Sequence, residues 1–283
     1  MSIALMLNHK YKKEMPFQIT QFLDVGTSNP IVARLGVGLK DIVEMAQIDS
    51  DKKSSINASC FKIMKSLVEA EKQAKPLMDE IKEIEQKIAK EGVKIQPNGM
   101  AIETPGIIKL DNAKPCLMFF KEALQTLANV MGVIMDKTYN GPHFHKIRDD
   151  AKGFFGEDHI VPKLLQEDQQ WIKEILKLRD EIEHPKSSKP FAKGYNIERQ
   201  QDEKFLVSFP RFFDDTDILN RLEVYSHNLL TFSEEIVAHS MTKFFPPQAA
   251  LYEIPSEQRD TKLPVRYRVG LSESARKAFE GNI

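Results

Sequence analysis

Ile56-Asn57-Ala58-Ser59-Cys60-Phe61-Lys62-Ile63-Met64-Lys65-Ser66-Leu67 decides the fold. Its apolar residues fall at Ile56, Cys60, Ile63 and Leu67, and the alternation of four and three continues through Ala70, Ala74, Leu77, Ile81, Ile84 and Ile88. Residues spaced this way share one face of an α-helix, so the stretch predicts a long helix with a sustained packing seam. Pro76 lies inside it and predicts a kink.

Working outward, three more seams follow. Leu117, Phe120, Leu124, Leu127, Met131 and Ile134 form the second. The third is Ile160, Leu164, Trp171, Ile175, Leu178 and Ile182, interrupted by Asp168. The fourth is Ile218, Leu222, Tyr225, Leu229, Phe232 and Ile236, preceded by Asp214-Asp215-Thr216-Asp217, which supplies caps and favourable charge at a helix start. Four such helices predict an all-α protein, an antiparallel four-helix up-down bundle. Residues 30–48 read as an extra N-terminal helix and 138–159 as a turn, a short helix and a turn. Two small β-hairpin insertions are predicted, within 92–110 and 186–213. After Pro246-Pro247 the pattern becomes an extended C-terminal tail with one strand-like run, Val265-Arg266-Tyr267-Arg268-Val269. The organisation expected is an N-terminal extension over 1–51, the bundle with its insertions over 52–245, and the tail over 246–283.

Of the 283 residues, 41% are hydrophobic and 29% charged, which excludes a disordered chain. The net charge of −1 confines any basic surface to local patches. Cys60 and Cys116 sit on apolar stripes, so buried thiols and a cytoplasmic setting are expected rather than a disulfide framework. The first ten residues lack a charged region before their apolar run and make a poor secretory signal. The most apolar window, Cys116 to Met135, carries Lys121, Glu122, Gln125 and Asn129, so it reads as a core helix and no membrane partner is expected.

Chemistry is concentrated in Leu178-Arg179-Asp180-Glu181-Ile182-Glu183-His184-Pro185. Arginine forks onto phosphate oxygens, and histidine moves a proton near neutral pH. A plain structural account exists too: Arg179 with Glu183 and Asp180 with His184 are four residues apart and would pair along the helix. On a regular helix Arg179 and His184 point about 140° apart, so convergence needs unwinding at His184, which Pro185 encourages, or a second subunit. Arg221 and His227 repeat a similar spacing, with Leu222 where the first copy has Asp180.

Leu178-Arg179-Asp180-x-x-x-His184 resembles the signature of the HEPN superfamily: arginine, a polar residue, a short spacer and histidine, late in the third helix of a four-helix bundle. The resemblance spans roughly residues 52–245, with its specific part in those few positions. It implies metal-independent RNA cleavage at a composite site across a homodimer, in toxin–antitoxin or anti-phage systems, with RNA as substrate and a neutralising antitoxin as partner. It also implies the alternative of a non-catalytic helical scaffold or RNA- or nucleotide-binding module, since many members are inactive. In an active member His184 would be general acid or base, Arg179 would clamp the scissile phosphate, and Asp180 would orient His184. The chain departs from the family in its two insertions, its long first helix and its tail.

Residues 186–211 and 259–277 each carry an excess of Lys and Arg that suits a phosphate backbone. His143, His145 and His159 stand near Asp149, Asp150, Glu157 and Asp158, but no standard ligand spacing is met, so no metal is expected. Gly36-Val37-Gly38 lacks a preceding strand and a third glycine, and no cofactor is expected. His239, on the fourth seam, reads as a hydrogen-bonded core or bundle-end residue.

Overall fold

The computed structural model describes residues 23–93, 109–185, 190–200 and 205–280, of which Phe279 and Glu280 are described in backbone only. The protein is mostly helical, with a few small antiparallel strand pairs. After a π-helical segment, Val32–Gly38, come α1 (Leu39–Met45) and α2 (Ser50–Glu91). α3 (Ala113–Met135), α4 (Phe144–Phe155), α5 (Ile160–Glu167) and α6 (Gln169–Glu183) follow. Four short strands come next: β1 (Ala192–Lys193), β2 (Asn196–Arg199), β3 (Phe205–Ser208) and β4 (Arg211–Phe212). The chain continues with α7 (Ile218–Met241), β5 (Ala249–Glu253), β6 (Tyr267–Leu271) and α8 (Glu273–Glu280).

The first seam forms one helix that runs through Pro76. A proline there removes one backbone hydrogen bond. Burial of the seam on either side, at Ala74, Leu77 and Ile81, offsets that loss. Asp49 starts α2 by accepting the Lys52 amide at 2.8 Å, and Asp217 does the same for α7 with the Asn220 amide at 2.7 Å. The third seam is two helices. Asp168 ends α5 and opens α6, and its carboxylate accepts the Trp171 indole N–H at 2.5 Å.

The described residues divide into two compact units, one within Met1–Lys65, Asn129–Thr138 and Ser233–Ile283, the other within Ser66–Ala128 and Tyr139–Phe232. In the first, Leu35, Leu39, Ile42, Ile56, Ile63, Met131, Ile236 and Met241 are buried. A buried ion pair joins Arg34 of the π-helical segment to Glu234 of α7, with Nε at 2.7 Å and Nη2 at 2.6 Å from the same Oε2. Burial pushes the Glu234 carboxyl up, against the opposing pull of Arg34, Arg266 and Arg259. A methyl group at Gly36 would meet the Met64 sulfur at 2.6 Å, so the glycine lets the widened turn press against α2.

Residues 246–280 are not the extended tail expected from the sequence. β5 and β6 pair antiparallel from Ala249↔Leu271 to Glu253↔Tyr267, and α8 follows. Arg266 anchors this hairpin, reaching Glu235 of α7 and Glu253 of β5, each at 2.7 Å. A contact 31 residues away in sequence decides the arrangement, which is why local pattern alone reads the segment as unpartnered.

In the second unit Phe232 of α7 takes Phe144 of α4 and Trp171 of α6 edge-on. Glu174 of α6 receives Arg221 and, at 3.2 Å, the Tyr225 hydroxyl. The hairpin expected within 186–213 forms as β2–β3, with the short ladder β1–β4 beside it in sequence. The hairpin expected within 92–110 falls largely on residues 94–108, outside those described. One helical stretch among the described residues, Leu110–Met135, is long and apolar enough to cross a membrane by composition, and 61% of its most apolar window is buried inside the protein.

Candidate functional site

The end of α6 places Leu178 in the core and Arg179 beside it at the helix flank. The Arg179 guanidinium closes on its own helix. Nη1 donates to Asp180 Oδ1 at 3.1 Å, and Nη2 donates to Glu183 Oε1 one turn on. Nε is buried with no hydrogen-bond partner among the described residues. Three carboxylates in this turn, Asp180, Glu181 and Glu183, make the surroundings of Arg179 acidic.

The helix does not unwind before His184. Its amide still donates to the Asp180 carbonyl at 2.8 Å, and only then does the backbone leave the helix, at φ −133° and ψ 69°, away from the helical conformation that a following proline disfavours. The His184 ring is exposed and makes no hydrogen bond among the described residues. Arg179 and Asp180 are therefore brought together, while His184 joins neither through its side chain.

The basic stretches are largely committed elsewhere. Arg259 and Arg266 bond Glu253, Lys277 pairs with Glu273, and Arg276 lies over the Tyr252 ring. Lys193 pairs with Asp215. Lys186, Lys189 and Lys204 lie outside the described residues.

The histidine cluster has structural roles. His159 caps α5, accepting the Val161 amide on Nδ1 at 3.2 Å, and stacks on Phe155. The His143 and His145 ring centres are 6.1 Å apart. Among the described residues no three of His, Cys, Asp or Glu gather as a metal-holding group. His239 lies edge-on to Tyr267 with ring centres 5.5 Å apart.

Sequence reasoning missed a groove of about 720 Å³ between α1 and β6. Asp41 and Met45 stand on its helical side, Val265 and every residue of β6 on the other. Met45 and Leu271 are large apolar side chains left 46% and 47% exposed. The signal was present in the alternating run before Val269, but its pairing partner was not.

No family model, curated protein or solved structure matches the chain.

Proposed function

We propose that the chain is a non-catalytic helical interaction protein, in which Arg179 serves as a helix-end ion cluster rather than a phosphate clamp. The observation that carries this reading is the closure of the Arg179 guanidinium on Asp180 and Glu183. A phosphate would have to displace two carboxylates already bonded to the fork and approach through their field. His184, beyond the last turn and exposed, has no carboxylate to fix its tautomer among the described residues. An endoribonuclease of the kind implied by the resemblance would need a second copy to bring an arginine to that ring.

In this proposal the long helices form an up-down bundle. Support comes from α2 and α3. Lys52 at the start of α2 pairs with Asp136 just after α3, while Glu80, far along α2, accepts the Lys109 amide just before α3. Those contacts fit an antiparallel pair.

Purified full-length protein incubated with mixed RNA in EDTA tests the functional reading. No cleavage above buffer is expected, whatever the protein concentration, for the native chain, Arg179→Ala or His184→Ala. Cleavage by the native chain that vanishes in both variants, each still folded, would restore the nuclease.

A further inference from the structure

We infer that the groove between α1 and β6 binds an extended segment of a partner protein, which adds to the free edge of β6 as a third strand. The argument begins with hydrogen-bond alternation. The Ile254 amide donates to the Arg266 carbonyl at 2.7 Å, and the Ser272 amide to the Gln248 carbonyl at 2.6 Å. In an antiparallel ladder bonded pairs recur every second residue, so Arg268 and Gly270 face β5 and Tyr267, Val269 and Leu271 face outward. The Leu271 carbonyl is already taken by the Tyr252 hydroxyl, at 2.5 Å, and by Arg276 Nε. The outward N–H and C=O of Tyr267 and Val269 have no partner among the described residues. Two such sets one pleat apart match the repeat of an extended chain.

The groove follows that edge. Successive side chains of a strand point to opposite faces, yet all five residues of β6 line it, so it runs along the backbone. α1 forms the facing wall, brought close where Gly38 lies against Val265. Exposed Met45 and Leu271 offer apolar surface to alternate side chains of the added strand.

Charge sets the pattern of the ligand. Asp41 on the helical wall is exposed and makes no ion pair among the described residues, and the same holds for Arg268 on the strand. The segment therefore carries a Lys or Arg toward α1, an Asp or Glu toward Arg268, and apolar residues between. A second copy of this chain fits poorly, because the α1 that walls its own β6 would have to enter the groove with that strand.

The test uses the full chain and a library of capped octapeptides with Val, Ile or Leu at alternate positions and all other positions randomised. Expected are peptides enriched in Lys or Arg at one position, whose addition protects the Tyr267 and Val269 amides from hydrogen exchange. Val269→Pro removes one outward N–H and leaves the bonds to β5 in place, so it should weaken binding by about tenfold or more while the Gly270 amide stays protected. Asp41→Lys should weaken the Lys-bearing peptide by about tenfold and favour one with Glu at that position. The inference is overturned if no peptide binds better to the native chain than to Val269→Pro. It is equally overturned if the two amides are already protected without peptide, independent of concentration for an occupant from the chain itself or dependent on it for a second copy.

Discussion

Arg34 and Arg179 are both paired arginines, and they do different things. Arg34 meets a carboxylate 200 residues away in sequence, with both groups nearly out of water. Arg179 meets two carboxylates within its own helical turn, with Asp180 exposed. Burial makes the first pair one in which neither partner can be removed alone, whereas in the second Arg179 is largely covered but its carboxylates reach solvent, which screens them. An arginine that stands out in the sequence is thus the less consequential of the two for the fold.

The largest effect should come from breaking the Arg34 pair. Arg34→Met strands the Glu234 carboxylate and should cost about 3–5 kcal/mol by urea denaturation. The double variant Arg34→Met with Glu234→Leu should recover most of it, since no buried charge then remains. A double variant as unstable as the single one would mean that the loss lies in packing of the π-helical segment.

Acidification sharpens the same point. The folded chain holds the Glu234 proton more tightly than the unfolded chain, because burial raises its pKa. That contribution favours folding at low pH and disappears as pH rises through the raised value. Without Arg34 one of the charges holding the carboxyl down is gone, so the penalty of Arg34→Met should shrink as the pH falls from about 7 to about 5. Denaturation midpoints at the two pH values give the comparison; an unchanged penalty would show the carboxylate is hydrated after the substitution.

At the other arginine the effects fall. Arg179→Ala should cost only about 0.5–1 kcal/mol, and the difference from the native chain should narrow in high salt. A loss as large as that of Arg34→Met would erase the contrast. His184→Ala should stay within about 0.5 kcal/mol in a thermal melt, as an exposed residue with no partner among those described.

Much of the helical framework was legible because a seam repeats locally. The run from Ile56 specifies α2, the Asp217 cap specifies the start of α7, and Asp168 interrupts the third seam where α5 gives way to α6. The pairing of Arg179 with Glu183 was equally legible, being a four-residue spacing on one helix face. Asp180 turned to Arg179 instead of His184, because the guanidinium is a neighbour and the ring leaves the helix. The tail was misread because its order rests on Arg266 meeting Glu235 and on strand partners 14 to 22 residues apart, across a loop that carries no hairpin signal. The groove depends on which face of a backbone points outward, information that register alone supplies.

Cys60 and Cys116 are free and buried, and burial pushes the Cys60 thiol up to about 12 and the Cys116 thiol higher still. Thiolate is what reacts, so neither sulfur competes for an alkylating dye near neutral pH. A single cysteine placed on the exposed surface can therefore carry a fluorophore or spin label without first stripping the native pair from the core.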